Sequence, residues 1–269
     1  MNSQIKQFPG AGHSAGPRKL AAAGLKTVLD SIYPPALYCS ICGNLIDGSR
    51  TYHLCDNCVR HIRWDTDPPA VIPMHSKNIR LLRVCTYGVY ERSLIFSLKY
   101  QDRRELAKDI AEMMRDRLEY EGFGKGSFDY IVPIPLSKEK EKTRGFNQTV
   151  LMGKYLAKMT GAELLPHALL RVKDTRPMRG LSPRARQENI EGAFAPGLTA
   201  WKLAGKRVLL IDDFATTLAT GNEAVRMLLE ASPSDITFMV FAARWDDAVR
   251  AAAGSRNAFC QNGHIPAEK

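Results

Sequence analysis

Two groups of residues in this sequence have the types and spacing to do chemistry. The first is Asp212-Asp213, two carboxylates that close the apolar run Arg207-Val208-Leu209-Leu210-Ile211 and open onto Phe214-Ala215-Thr216-Thr217-Leu218-Ala219-Thr220. Such a run reads as a buried strand, and ligands of open α/β sheets bind beyond the carboxyl ends of the strands. Paired carboxylates at that place can accept from sugar hydroxyls or hold a hydrated Mg²⁺. A helix starting near residue 219 would offer free N–H groups and the positive end of its dipole to a phosphate. Thr216, Thr217 and Thr220 would add hydroxyl donors. The same residues also fit a plain strand end with an N-capping threonine. Spacing alone does not choose between the two.

The second group is Cys39-x2-Cys42 and, after a turn-rich arm holding Gly43, Asn44, Asp47 and Gly48, Cys55-x2-Cys58. Two such knuckles let four thiolates converge on one tetrahedral ion, for which Zn²⁺ is the usual occupant. Two disulfides or a redox pair are the competing possibilities. A site closed by four cysteines has no open position for a substrate, so its expected role is to staple a segment that lacks an apolar core. His53 and His61 read as exposed side chains beside the knuckles, and Cys85 and Cys260 as buried or incidental thiols.

The elements that must position these groups follow from periodicity. Leu25, Val28, Leu29 and Ile32 keep helical spacing until Pro34-Pro35, and Asp67-Pro68-Pro69 marks a boundary after the cysteines. Leu81–Tyr90 predicts a strand, and Leu106, Ile110, Met113, Met114 and Leu118 predict a helix. A short apolar run over Asp129–Pro135 comes next, then a helix through Met152, Tyr155, Leu156 and Met159 with Gly161 as its C-cap. The strand ending at Ile211, a helix at about 219–230 and a strand over Ile236–Ala242 complete the alternation. That pattern predicts an α/β fold, a parallel sheet with helices on both faces. The expected organisation is a basic disordered tail at 1–24, a helix and four-cysteine ribbon at 25–66, the α/β domain at 70–250 and a terminal tail at 251–269.

A chain of 269 residues that is 45% hydrophobic and 25% charged is neither fibrous nor wholly disordered. No apolar run reaches the ~20 residues of a spanning helix. The first residues lack the apolar core of a signal peptide, which predicts a cytoplasmic protein. The balance of 38 basic and 28 acidic residues, +10, favours polyanionic partners.

The Asp212–Thr220 stretch resembles the phosphoribosyl pyrophosphate (PRPP) motif of type I phosphoribosyltransferases: an apolar strand, two acids, then a Thr-Thr loop. The four-cysteine ribbon upstream and Arg144-Gly145-Phe146-Asn147-Gln148 between them make the chain similar to the ComF family of competence-associated proteins. Tyr33-Pro34-Pro35, Leu98-Lys99-Tyr100, Val132-Pro133-Ile134-Pro135 and Arg186-x-x-Asn189 with Gly192-Ala193-Phe194 add to the likeness, which runs over about residues 25–245. It implies a type I phosphoribosyltransferase-like sheet in which Asp212 and Asp213 contact ribose hydroxyls, directly or through Mg²⁺. Thr216, Thr217, Leu218, Ala219 and Thr220 would cradle the 5′-phosphate. Pro135, Leu136, Ser137 and Lys138 would form the pyrophosphate loop, and residues 171–186 a mobile hood.

The basic segments Lys138–Arg144 and Arg171–Arg186 flank this implied pocket. Each reads as a solvated loop or as a grip on pyrophosphate or a nucleic-acid backbone, and Arg144, Arg176, Arg179, Arg184 and Arg186 are the candidate hood and strand contacts. Phe146 could stack a base or pack in the core. The family's link to uptake of transforming DNA would add a single-stranded DNA contact and association with the competence machinery. Two functions from different classes stay open: an enzyme transferring ribose 5-phosphate from Mg-PRPP with loss of pyrophosphate, and a non-catalytic DNA-binding accessory factor with a degenerate PRPP loop. Two departures bear on that choice. The hood reads Met178-Arg179-Gly180-Leu181, where Gln commonly precedes the Gly-Leu pair, and Leu218 stands where the loop usually has Gly. A positive φ at Leu218 would cost about 1–3 kcal/mol and weaken PRPP binding. Alternatively the loop relaxes to negative φ with Leu218 packed beneath it.

Overall fold

The computed structural model describes residues 37–47, 50, 52–175, 180–215 and 217–244. The expected basic tail, the helix from Leu25, the tail from 251 with Cys260, and the site candidates Thr216, Arg176 and Arg179 lie outside the described residues. The chain divides into two compact units, Met1–Cys55 and Asp56–Lys269. In the first, the chain folds back on itself at Gly43 (φ +75°), where Tyr38 and Leu45 face each other as an antiparallel bridge.

The second unit is built on eight strands: β1 (Ala70–Met74), β2 (Lys77–Thr86), β3 (Tyr130–Pro133), β4 (Glu163–Leu164), β5 (Leu169–Arg171), β6 (Phe194–Pro196), β7 (Arg207–Ala215) and β8 (Asp235–Ala243). Six form one sheet in the order β1-β2-β8-β7-β3-β4, and β5 and β6 make a separate antiparallel ribbon. All neighbours in the large sheet are parallel except the edge hairpin β1–β2. The helices are α1 (Asp56–His61), α2 (Val89–Tyr100), α3 (Leu106–Tyr120), α4 (Lys138–Arg144), α5 (Gln148–Thr160), α6 (Pro183–Ile190) and α7 (Ala219–Leu229).

The α/β class expected from the sequence is present, and its physical cause is visible in β7 and β8. Val208, Leu209, Leu210 and Ile211 are fully buried, as is nearly all of Ile236–Ala243, because helices cover both faces. Val208, Leu210, Ile236, Phe238 and Val240 pack with Ala224, Val225 and Leu228 of α7 on one side. On the other, α5 lies so close that a Cβ at Gly153 would stand 2.7 Å from Leu164 Cδ1 and 3.3 Å from Ile211 Cδ1. The amphipathic α3 packs against α5 and the sheet with Ile110, Met113, Met114 and Leu118. Each such side chain removed from water contributes roughly 1.5–3 kcal/mol.

Three local expectations need correction. The strand predicted over Leu81–Tyr90 runs instead over Lys77–Thr86, because Tyr87 turns its N–H to Ala243 O (3.0 Å) and Gly88 caps the start of α2. Lys138–Arg144 is a helix, not a loop; its alternating charges carry no apolar period, but Ser137 Oγ accepts from Lys140 N–H at its start and Gly145 (φ +78°) closes its end. Part of the 171–186 segment is likewise helical, capped by Ser182 at the start of α6. At the sheet's two edges, β4 has only two residues and β1 carries Pro73. Beyond β1, Trp64 continues along β2 as a bridge to Cys85, held by the backbone pairs Asp65 N–H to Val84 O and Thr86 N–H to Arg63 O.

Gly221 tests this arrangement. A Cβ there would stand 2.2 Å from the ring of fully buried Phe238, so α7 and β8 meet at a distance only glycine permits. We expect Gly221→Ala to cost about 1–3 kcal/mol by overpacking, more than the roughly 1 kcal/mol alanine gains as a helix former. Urea unfolding should show a lowered midpoint with unchanged slope; a raised midpoint would show that Phe238 moves aside freely.

Candidate functional site

Side chains at the carboxyl end of β7 alternate between the two faces of the sheet, so the adjacent acids face different surroundings. Asp213 is 4% exposed. A carboxylate that far from water requires partners, and its Oδ2 has two: Lys99 Nζ, from the last turn of α2, at 2.7 Å, and Gln148 Nε2, from the first residue of α5, at 2.6 Å. Arg144, the last residue of α4, donates to Gln148 Oε1 (2.9 Å) and to the Tyr100 hydroxyl (3.1 Å). One continuous polar network therefore joins the ends of α2, α4, α5 and β7.

Asp212 Oδ1 accepts the backbone N–H of Asp213 at 2.8 Å. Burial, and after it the charge of Asp213, push the Asp212 carboxyl up to about 7; Lys99, the Asp213 N–H and Arg171 oppose the rise without cancelling it. The acids open on a cavity of about 140 Å³ whose other walls include Ile134, Pro135, Leu136, Lys140, Arg171 and Thr220. Burial lowers the affinity of Lys140 for its proton, and the nearby cations Arg171, Arg144 and Lys99 lower it further. Arg171 hydrogen-bonds Thr175 through Nη2, while its buried Nε has no hydrogen-bond partner. Four cations thus surround two acids, a balance that suits an anion whose sugar or cation can meet the carboxylates.

Of the residues singled out in the sequence, Asp212, Asp213, Thr220 and Arg144 line this cavity. Ser137 and Arg144 line a neighbouring one. Ala219 is buried at the first turn of α7 and Thr217 is half-buried in the loop before it. Lys138, Arg184 and Arg186 line neither cavity, and Arg184 is an exposed residue paired with Glu188 within α6 at 2.9 Å. Leu218 adopts φ −77° and ψ 5° at the N-cap of α7 and packs against the sheet core, so the strained positive φ is absent and the relaxed alternative holds. Phe146 is 9% exposed and lies under the Arg104 guanidinium at 4.7 Å.

Lys99 and Gln148 entered the sequence analysis only as parts of motifs, and Lys140 and Arg171 only as members of basic segments. A signal for them existed. An acid pair at the end of a buried strand demands compensating donors, and a lysine closing the apolar helix Leu94–Leu98 is placed to be one.

The four cysteine sulfurs lie within 4.8 Å of one another, Cys42 and Cys55 at 3.6 Å. Sulfurs about 2.3 Å from one tetrahedral ion stand roughly 3.8 Å apart, so the cluster is compatible with structural zinc. No described cysteine is in a disulfide. Burial opposes the Cys39 thiolate, but hydrogen bonds from the backbone of Cys42, Cys55 and Ile41 outweigh it and hold the thiol at about 7. His53 and His61 stand outside the cluster; His61 stacks on Tyr90 at 5.1 Å.

No protein-family model matches the chain. Among curated proteins it is 33% identical over 106 residues to Competence protein F of Haemophilus influenzae, covering 39% of this chain and 46% of that one. It is 30% identical over 152 residues to DNA utilization protein YhgH of Salmonella typhi, covering 56% and 66%. To Competence protein ComFC of Bacillus subtilis it is 34% identical over 113 residues, covering 40% and 43%. The chain thus spans between about two fifths and two thirds of the relatives it matches. Among solved structures, adenine phosphoribosyltransferase from Saccharomyces cerevisiae has a TM-score of 0.38 at 14% identity, covering 73% of this chain and 92% of that one. The fold therefore rests on the strand order and burial described above. No helix among the described residues is long and apolar enough to cross a membrane.

The raised Asp212 carboxyl makes stability depend on pH with a definite sign. A group whose folded pKa lies above its unfolded value stabilises at low pH, and that contribution is lost as pH rises through the folded value, here from about 4 to about 7. Asp212→Asn should flatten this part of the pH–stability profile and exceed the wild type above pH 7, read as denaturant midpoints across the range. An unchanged profile would mean that Asp212 ionises freely.

Proposed function

Since the chain belongs to the ComF family of competence-associated proteins, we propose that it binds Mg-PRPP, or a related phosphorylated ribose, at the acid pair of β7 and contacts single-stranded DNA in the cytoplasm during DNA uptake. The observation that carries this reading is the pair of carboxylates at the end of a central parallel strand, inside a cavity otherwise ringed by Lys99, Lys140, Arg144 and Arg171. The names of the relatives, Competence protein F and DNA utilization protein, support the cellular setting.

In this reading Asp212 and Asp213 accept the ribose hydroxyls. The 5′-phosphate lies at the amino end of α7, taken by backbone N–H groups of residues 216–220. Ser137, Lys138 and the cations of the cavity face the pyrophosphate, and Mg²⁺ arrives with the ligand to neutralise that leaving group. Transfer to an acceptor would break the anomeric C–O bond, the electron pair leaving with pyrophosphate while the acceptor's nucleophile bonds to the sugar. The chain would contribute position and fixed charge. A second reading, an accessory factor that grips a strand phosphate without turnover, is favoured by the saturation of Asp213 by Lys99 and Gln148. Residues 25–66 would form a ribbon around one zinc ion held by Cys39, Cys42, Cys55 and Cys58, ahead of a phosphoribosyltransferase-like domain over 70–250.

Calorimetric titration with Mg-PRPP tests the ribose site. Binding by the wild type, lost in Asp213→Ala and unchanged within about twofold in Leu218→Gly, is expected, because Leu218 carries no positive φ to relieve. No binding by the wild type would leave only the accessory role, and labelled PRPP turnover with and without single-stranded DNA separates the two.

Metal analysis of purified protein should give one zinc per chain. Zinc in small modules supplies about 10–16 kcal/mol of apparent binding free energy, so Cys58→Ser should lose the metal and expose the ribbon to protease. Zinc-free protein with the cysteines oxidised in pairs would refute the ribbon.

A further inference from the structure

The acid-pair cavity has a larger neighbour of about 580 Å³, and the two share Lys99, Lys140, Arg144 and Thr175 as common walls. The larger cavity differs in chemistry, for it is built on two arginine–aromatic pairs. Arg144 lies 5.0 Å from the centre of the Tyr100 ring, and Arg104 lies 4.7 Å from that of Phe146. Tyr100 is 63% exposed, and one helical turn before it on α2 Phe96 is 48% exposed, the two rings tilted together at 5.1 Å. Two adjacent water-facing aromatic rings, one of them lining a cavity with Arg104, Lys140 and Arg144, are expensive to leave uncovered in a soluble domain. Neither ring lines the acid-pair cavity.

We propose that this second cavity and the Phe96–Tyr100 face of α2 form a base-stacking site for single-stranded nucleic acid, which leads the end of the strand toward the acid pair. Lys99, Arg104, Lys140 and Arg144 line the cavity against Asp102, Glu139 and Asp174, which leaves one net positive charge for a phosphate backbone. Arg104 is paired with Asp102 at 2.7 Å, Arg144 stands beside the Tyr100 ring, and Lys99 and Lys140 form the shared wall toward Asp213. Rings of this kind accept the face of any unpaired base, whereas bases inside a duplex are already stacked. The two rings pack together, tilted by 44°, as one continuous apolar face that the bases of a strand can cover. The strand surface so assigned keeps Arg144 and the Lys138–Arg144 segment expected from the sequence and leaves out the basic residues of the Arg171–Arg186 segment. Its orientation toward the acid pair rests on the proposed ribose site; its stacking chemistry does not.

Fluorescence anisotropy with a labelled twelve-nucleotide DNA, single-stranded or annealed to its complement, tests the site. The single strand is expected to bind at least tenfold more tightly than the duplex at equal salt. Phe96→Ala and Tyr100→Ala should each weaken it about tenfold without altering the salt slope, because stacking carries no charge. Tyr100→Phe should retain binding, which separates stacking from loss of the Arg144 contact. Arg104→Ala should reduce the slope of log affinity against log salt by about 0.7. Duplex binding equal to the single strand, or wild-type affinity in both alanine variants, would overturn the proposal. Calorimetry with Mg-PRPP on Phe96→Ala keeps the two ideas apart. A wild type that fails to bind PRPP yet loses the strand on Phe96→Ala refutes the ribose site and keeps the stacking site. Normal PRPP binding with strand binding insensitive to the aromatic rings does the reverse.

Discussion

A carboxylate taken out of water has to be surrounded by donors, and meeting that requirement at Asp213 organises the functional end of this protein. Lys99 and Gln148 reach it from helices on either side of a long stretch of chain, and Arg144 holds Gln148 in turn. Removing one partner of such a buried arrangement typically costs 3–5 kcal/mol, because the remaining charge is stranded. The ends of α2, α4 and α5 are therefore fixed by the same charge that would meet a sugar. In the proposed ribose site, stability and recognition would draw on one set of groups, so neither could be altered alone.

The neighbouring acid follows the opposite logic. Asp212 has a backbone N–H but no close cation of its own, and burial beside a second carboxylate favours its protonated form up to about 7. Two consecutive aspartates thus differ in their direct partners. Both line the cavity, but Lys99 of α2 and Gln148 of α5 bond directly to Asp213, while Asp212 feels Lys99 and Arg171 only as nearby charges.

How much was legible in the sequence depended on whether a feature is local. The run Val208–Ile211 announced the strand, because burial on both faces leaves a continuous apolar signature, and the two acids marked its carboxyl end. The paired Cys-x-x-Cys knuckles did the same for the metal cluster. What stayed hidden was tertiary or polar. Lys99 and Gln148 converge on Asp213 from positions whose spacing in the chain says nothing of their proximity. Helix α4, Lys-Glu-Lys-Glu-Lys-Thr-Arg, has no apolar stripe, and only Ser137 before it and Gly145 after it betray it. At Leu218 the sequence left two conformations open. The glycine usual in the resembled family's loop suggests a backbone need, yet this loop reaches its helix at φ −77° and uses the side chain as core.

The sheet's margins have a consequence for how the protein tolerates crowding by its own kind. Its interior strands β2, β7 and β8 are nine or ten residues long and rich in Val, Ile, Leu and Phe, the sort of sequence that stacks into fibrils when its backbone is left open. One margin ends in a two-residue strand; at the other, a proline without an N–H interrupts β1. Where β1 stops, the stretch at Trp64 takes over the pairing along β2. Another copy would find too few consecutive free amides to add a strand of its own. A fold whose core is rich in fibril-forming sequence is thereby kept from growing edge to edge, through a two-residue strand at one margin and a proline-interrupted one at the other.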